Sequence, residues 1–355
     1  MSPVDPPLGW NDRLEAEFKS VANNKGTRGR VVRIDTTSCT VADALGVDHV
    51  CHIGKRLRRA TTRPVVGDWV IWEPGSSGVP PTVRNVLERH SAFCRLAAGK
   101  ATRAQVIATN IDVVFIVSSL DGDLSERRLE RYLVAASQAP CRAVILLTKA
   151  GLSDDVERGV ARAREAAQDI PVHAIDVLEG LGVDVLDEYF ASPITAAFVG
   201  SSGVGKSTLV NHLVGEARVA TAPVRASDNR GQHTTSHREL ITLDGGASII
   251  DTPGIRELGL WADEDAIEDV FDDIVELAQQ CRFADCQHGG EPGCAVLAAV
   301  SSGELLKDRL EGYANLRVEQ ARTAARSRQG QRNAERQGAR FMRETQRRRR
   351  GAKGD

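Results

Sequence analysis

Residues 198–208 read FVGSSGVGKST. An apolar run ends in Gly200, a four-residue spacer follows, and Gly205-Lys206-Ser207 opens a helix-like stretch. Gly-x4-Gly-Lys-Ser at a strand-to-helix junction predicts a phosphate-binding loop. Its glycines (200, 203 and 205) let backbone N–H groups wrap a β-phosphate. The Lys206 ammonium reaches the β- and γ-phosphates, the Ser207 hydroxyl ligates Mg²⁺, and the helix N-terminus adds a field that favours negative charge. Ser201, Ser202, Val204 and Thr208 complete the predicted nucleotide-binding set.

Downstream, IIDTPG (249–254) places an acid at the end of an apolar run, with a glycine three residues on. Asp251 suits Mg²⁺ held through water, and the Gly254 N–H suits the γ-phosphate. Ile255 stands where many GTPases carry a water-orienting glutamine. Between the two motifs, DNRGQHTTSHREL (228–240) is polar and leads into a strand, the pattern of a switch that closes over γ-phosphate and Mg²⁺. Some fifty residues upstream of the phosphate loop, ILLTKAGL (145–152) ends an apolar run at Thr148-Lys149-Ala150-Gly151. It resembles the Asn-Lys-x-Asp loop with which GTPases read guanine, with both outer positions changed.

Apolar runs at 113–119, 143–148, 172–175, 196–200, 239–243 and 247–251 alternate with helix-like segments such as SERRLERYLVAASQ. That alternation predicts a doubly wound α/β domain, with ligands at the carboxyl ends of its strands. From Gly26 to Arg95 five short alternating runs (GRVVRID, CTVAD, HVCHIG, GDWVIWE and PTVRNVL) are separated by Gly and Pro, as in a small OB-like barrel. A structural β-domain without a ligand, with Trp69 and Trp72 as core or edge residues, is the plainer alternative. Residues 1–25 lack clear periodicity and suggest a flexible lead-in. The expected layout is thus lead-in 1–25, barrel 26–95, phosphate-loop domain 96–262, helical Cys/His domain 263–316 and basic tail 317–355.

The chain has 355 residues and a net charge of -2, which hides a segregation. Residues 317–355 hold 13 Lys/Arg against 4 Asp/Glu, and residues 1–100 hold 15 against 10. Two basic ends around an acidic centre suggest a polyanionic partner, although any one charge run also suits a solvated surface. The tail reads as a solvated basic helix or as a segment that orders on its partner. The opening MSPVDPPLGW lacks a secretory pattern and no apolar run approaches membrane-spanning length, so a cytoplasmic protein without membrane association is expected. Seven cysteines do not form a disulfide framework. Cys281, Cys286, His288 and Cys294, spaced C-x4-C-x-H-x5-C, predict one closed, structural Zn²⁺ site. Cys39, Cys51, Cys94 and Cys141 are scattered, and apolar burial is expected for them.

Together with AAGKATRAQVIATNIDVVFIV (97–117), DTPGIRELGLW (251–261) and CRFADCQHGGEPGC (281–294), these blocks resemble the ribosome small-subunit-dependent GTPase A family, the circularly permuted GTPases of bacterial ribosome assembly. The resemblance covers about residues 26–320. It implies an OB-fold RNA-binding domain, a permuted GTPase domain and a zinc domain, acting as a monomer on GTP/GDP and on the small (30S) subunit and its rRNA. Permutation accounts for a base-reading loop ahead of the phosphate loop. The resemblance also implies His233 as the catalytic residue, with His237 as rival, and Thr235 as a Mg²⁺ ligand beside Ser207 and Asp251. It places Thr148 and Lys149 in the base-reading loop.

The family's loop aspartate accepts two guanine N–H bonds, and Gly151 offers no carboxylate. Two lost charge-assisted bonds cost roughly 3–6 kcal/mol, on the order of 10²–10⁴ in guanine preference. The family's later Ser-Ala base contact is also altered, at AIDVLEG (174–180), leaving Asp154 or Asp155 as the carboxylates at hand. The expected activity is a GTPase, a hydrolase of acid anhydrides, assisting late small-subunit maturation. The alternative is an rRNA-binding assembly factor or scaffold with weak or base-unselective nucleotide binding.

Overall fold

The computed structural model describes residues 9–22, 26–59, 63–76, 78–96, 104–122, 124–191, 193–215, 239–251, 264–322 and 324–325. The chain divides into two compact units, one comprising 1–94 with 106–258 and the other 95–105 with 259–355.

The first unit opens with a helix where sequence periodicity suggested a flexible lead-in. Helix α1 (Asp12–Ala22) is capped by Asn11, whose Oδ1 accepts the Leu14 N–H at 3.1 Å. Leu14 is buried, Trp10 meets Trp69 edge-on at 4.9 Å, and Glu15 pairs with Arg28 at 2.8 Å. Three turns are too short for periodicity to declare itself, and tertiary contacts supply the stability.

Five strands then close a barrel: β1 (Thr27–Ile34), β2 (Ser38–Ala42), β3 (Asp48–Ile53), β4 (Trp69–Glu73) and β5 (Thr82–Val86), in the order β1-β2-β3-β5-β4 with β4 returning to β1. Closure removes the open edges that a five-stranded sheet exposes. The interior is apolar, with Val31, Val41, Val70, Trp72 and Val83 at its centre, while Trp69 is buried against Trp10 and Arg30. Cys39 and Cys51 face each other across β2 and β3 as free thiols, and burial raises both, to about 12 and about 11. Cys94 and Cys141 are only half-buried, less than the sequence suggested. A short helix α2 (Lys55–Arg59) follows β3. Strands β6 (Ala92–Leu96) and β7 (Ala104–Thr109), which no alternating pattern announced, form a separate two-stranded sheet.

The expected α/β domain follows, with β8 (Val113–Ser119), α3 (Glu126–Ser137), β9 (Arg142–Thr148), α4 (Val156–Ala167), β10 (Val172–Ala174), α5 (Val185–Phe190), β11 (Thr195–Val199), α6 (Lys206–Val214), β12 (Glu239–Thr242) and β13 (Ser248–Asp251). Its strands lie in the order β10-β9-β8-β11-β13-β12, parallel except for the antiparallel β12. Every residue of β8 is buried, as a central parallel strand covered on both faces requires. Phe115 and its alternates pack on Leu186 and Tyr189 of α5 and on Leu209 of α6, while α3 packs on β8 and β9. A bulge between Val31 and Arg33 bends β1, and Arg33 then pairs with Glu239 of β12. Barrel and nucleotide sheet thereby form one continuous array of eleven strands.

The second unit is helical among its described residues after 263, with α7 (Glu264–Val270), α8 (Asp272–Ala278), α9 (Ala295–Ser302) and α10 (307–322). Arg309 joins three of these helices. It forms a two-pronged ion pair with Asp273 (2.6 and 2.8 Å), donates to the Val270 carbonyl and stacks over Phe271. No helix among the described residues is long and apolar enough to cross a membrane.

Candidate functional site

The chain runs from β8 outward to β9 and β10, then returns to the other side of β8 as β11. Strand order therefore reverses between β8 and β11, and a crevice opens at their carboxyl ends. Three loops meet there: 119–122 after β8, 148–152 after β9 and 200–205 after β11. Because β9 and β11 both run parallel to β8, the base-reading and phosphate loops share one edge of the sheet, whichever comes first in the chain.

The phosphate loop requires glycine for a steric reason. At Gly200 (φ +148°) a Cβ would lie 2.2 Å from the Val117 carbonyl oxygen, so any side chain would force β11 and β8 apart. Gly205 adopts φ +92° at the head of α6. Lys206 is almost wholly buried, and its Nζ donates to the carbonyls of Gly200 (2.7 Å) and Ser201, which holds the ammonium against the loop. Ser202 and Gly203 are exposed, Ser201, Ser207 and Thr208 are half-exposed, and Val204 is buried beneath. Arg128 of α3 braces the loop by donating to Ser201 Oγ at 2.7 Å.

The base-reading loop is anchored to the phosphate loop through Thr148. Its buried hydroxyl has one proton, shared between the carbonyls of Val204 at 2.6 Å and Ser118 at 3.1 Å. The changed residue at this position therefore still ties the two loops together. Lys149 takes a left-handed conformation (φ 58°) and pairs through Nζ with Asp121. Burial opposes ionisation of Asp121, but its bonds to Lys149 and Ser119 prevail and hold its carboxyl below the usual range. Residues 150–152 form one 3-10 turn, and the Gly151 N–H donates to Asp176 Oδ2 at 3.0 Å.

No motif marks Asp121 or Arg128 as a site residue, and Asp176 lies in the stretch 174–180 where the family's base contact is altered. The available signal was positional for the two acids, since each lies just beyond the carboxyl end of a strand. Asp154 is exposed, and Asp155 is engaged in capping α4, its Oδ1 accepting the Arg158 N–H at 2.9 Å. His233, Thr235, His237 and Gly254 lie outside the described residues, and Asp251 is placed only as the last residue of β13, paired with Glu239.

In the second unit, one ligand atom each from Cys281, Cys286, His288 and Cys294 lies within 4.8 Å of the others. Cys281 Sγ stands 3.9 Å from Cys294 Sγ, and His288 Nδ1 stands 3.4 Å from Cys294 Sγ and 3.7 Å from Cys281 Sγ. A tetrahedron with metal–sulfur bonds of about 2.3 Å has sulfur–sulfur edges of roughly 3.8 Å, so this donor set fits Zn²⁺. Burial keeps His288 biased toward its neutral, ligating form. Cys294 Sγ also accepts the Leu297 N–H at 3.4 Å, which ties the cluster to the first turn of α9.

Residues 86–261 match the model of the RsgA GTPase family. Among curated relatives, a small ribosomal subunit biogenesis GTPase RsgA of Opitutus terrae is 40% identical over 331 residues, covering 90% of each chain. Its namesake in Xanthomonas axonopodis pv. citri is 44% identical over 332 residues, covering 91% of this chain and 90% of its own. Among solved structures, YjeQ from Thermotoga maritima aligns with a TM-score of 0.61 at 27% identity, covering 83% of this chain and 98% of that one.

Proposed function

The chain belongs to the RsgA GTPase family, and from that premise we propose that it hydrolyses GTP in the service of small ribosomal subunit maturation. The observation that carries this reading is the phosphate loop at the β8/β11 crevice, with Lys206 folded against it and Thr148 tying it to a base-reading loop. Loop N–H groups and the Lys206 ammonium neutralise charge on the β- and γ-phosphates, so catalysis is mainly positioning and electrostatics. Mg²⁺ is assigned to Ser207, Asp251 and Thr235, where it would offset phosphate charge. His233 is assigned to orient the attacking water, which Ile255 cannot do for want of a polar group. Guanine nucleotide and the small subunit are the partners this implies, with the cytoplasm as location.

Zinc at the Cys/His cluster is assigned a structural role, since four protein ligands leave no open position for a reacting water. A scaffold that binds nucleotide only incidentally is not favoured. The named relatives are GTPases along nine-tenths of this chain, and the loop lysine and serine are in place. The test is Lys206→Ala, with GTP turnover measured with and without purified small subunits. Turnover is expected to fall roughly 10²-fold or more with the fold unchanged. A folded variant of undiminished turnover refutes the site.

A further inference from the structure

The base-reading loop lacks its carboxylate in sequence but not in space. A Cβ built on Gly151 would meet Asp176 Oδ2 at 3.1 Å and Asp176 Cγ at 3.7 Å; its other close neighbour is Glu179 Cγ at 3.3 Å. Asp176 follows β10, at the altered Ser-Ala position of the family pattern, so a small residue and a carboxylate have exchanged places between the two loops. We propose that Asp176 supplies the guanine-reading carboxylate that position 151 lacks, and that Gly151 is small because that carboxylate occupies its space. The inference rests on the GTPase reading above and names which residue selects the base.

The carboxylate is fixed rather than mobile. Asp176 is 6% exposed, and Oδ1 accepts the N–H groups of Leu178 (3.0 Å) and Glu179 (3.2 Å). Oδ2 accepts one N–H, from Gly151, among the described residues. A carboxylate oxygen has two acceptor sites, so Oδ2 retains one beyond the Gly151 N–H among the described residues, and it lies 3.1 Å from where a Cβ on Gly151 would stand. Backbone bonds pin the turn around it: Ala150 N–H donates to the Ile175 carbonyl at 3.2 Å, and Asp176 and Leu181 exchange N–H···O bonds of 2.8 and 2.9 Å. Guanine presents N–H donors at N1 and N2, whereas adenine presents an acceptor at N1 and no group at C2. A fixed carboxylate facing that edge favours guanine and repels adenine's ring nitrogen. Glu179 is exposed, and its carboxylate has no comparable anchoring among the described residues.

The test is a panel of GTP, ATP and XTP titrated into full-length protein and three sets of variants. The wild type should prefer GTP to ATP by roughly 10-fold or more, the worth of one charge-assisted bond. Asp176→Asn keeps an acceptor for the turn but replaces the second oxygen with an N–H donor. It should abolish the GTP preference and raise XTP relative to GTP, because xanthine carries a carbonyl at C2. Glu179→Gln should leave the ratios unchanged. Gly151→Asp alone sets two carboxylates in contact and should weaken GTP, while Gly151→Asp with Asp176→Ser should recover it. That non-additivity tests the exchange even if one single variant folds poorly. An unchanged GTP/ATP/XTP profile in folded Asp176→Asn, an equal wild-type affinity for GTP and ATP, or a shift in Glu179→Gln instead overturns the inference while leaving the phosphate site standing. Binding of no nucleotide by the wild type overturns both.

Discussion

Arg30, in the first barrel strand, donates from its guanidinium to Thr195 Oγ1 at 2.6 Å, and Thr195 begins the strand that delivers the phosphate loop. The same guanidinium donates to the carbonyls of Asn110 (3.3 Å) and Gly67 (3.4 Å) and lies over the Trp69 ring. Arg30 is 2% exposed, and burial lowers its pKa to about 10, which still leaves it charged at neutral pH. A cation this deep is tolerated only where its donors are matched. It thereby fastens the barrel to the nucleotide sheet beside the β1–β12 pairing.

Arg30→Met should therefore lower stability by about 2–4 kcal/mol, since three acceptors lose a charged donor. Arg30→Lys keeps the charge but not the planar fork, and should recover less than half of the loss. Urea unfolding of the three proteins measures both effects. An unchanged midpoint in Arg30→Met would show that the fastening contributes nothing.

Thr148→Val removes the hydroxyl that ties the base-reading loop to Val204 and leaves the shape nearly intact. One lost bond, with a buried carbonyl left unmatched, is worth about 1–2 kcal/mol. If the two loops act together, nucleotide affinity should fall roughly 5- to 30-fold. Calorimetric titration with GDP checks this, and equal affinity would mean that the phosphate loop holds its geometry without the brace.

The parts legible in the sequence are those whose chemistry is local. The phosphate loop announces itself because strand, glycines, lysine and helix are consecutive, and the five barrel strands because alternation is a property of neighbours. What escaped depends on contacts distant in sequence. Asp176 looks like an ordinary turn acid until folding sets it against Gly151, 25 positions away. Helix α1 draws stability from partners outside its own segment, Arg28 on Glu15 and Trp10 on Phe18. Thr148 reads as a damaged asparagine until its hydroxyl is seen on the Val204 carbonyl, 56 positions on.

The Cys/His cluster should bind one Zn²⁺ per chain and release it on thiol modification. Cys286→Ser removes one of four ligands and should cost the metal together with local order at the start of α9, where Cys294 caps the helix. Metal analysis and amide exchange over 281–302 report the two effects separately. Purified protein without zinc, and a Cys286→Ser variant with unaltered exchange, would contradict the assignment.

The last prediction concerns how the nucleotide reaches the subunit. Strand β12 pairs on one side with β13, which ends at Asp251, and on the other with Arg33 of the barrel. The segment read as the switch, 228–240, includes the first two residues of β12. A γ-phosphate that orders this segment therefore acts on a strand shared with the barrel, the domain assigned to rRNA. By linkage, a partner that prefers that arrangement must bind more tightly when triphosphate is present, and couplings of this kind are worth about 1–3 kcal/mol, or 5- to 150-fold. Sedimentation with purified small subunits should show that ratio between a non-hydrolysable GTP analogue and GDP. Residues 326–355 carry 11 Lys/Arg against 3 Asp/Glu and are expected to contribute by neutralising RNA phosphates, which is sequence-independent and salt-sensitive. Removing them should weaken binding and flatten its dependence on salt, by roughly 0.7–0.9 in logarithmic slope for each phosphate that is no longer neutralised. The analogue/GDP ratio should survive the deletion, because it arises at β12 and not in the tail. Equal binding of both nucleotide forms at matched salt and verified occupancy would sever the switch from the subunit.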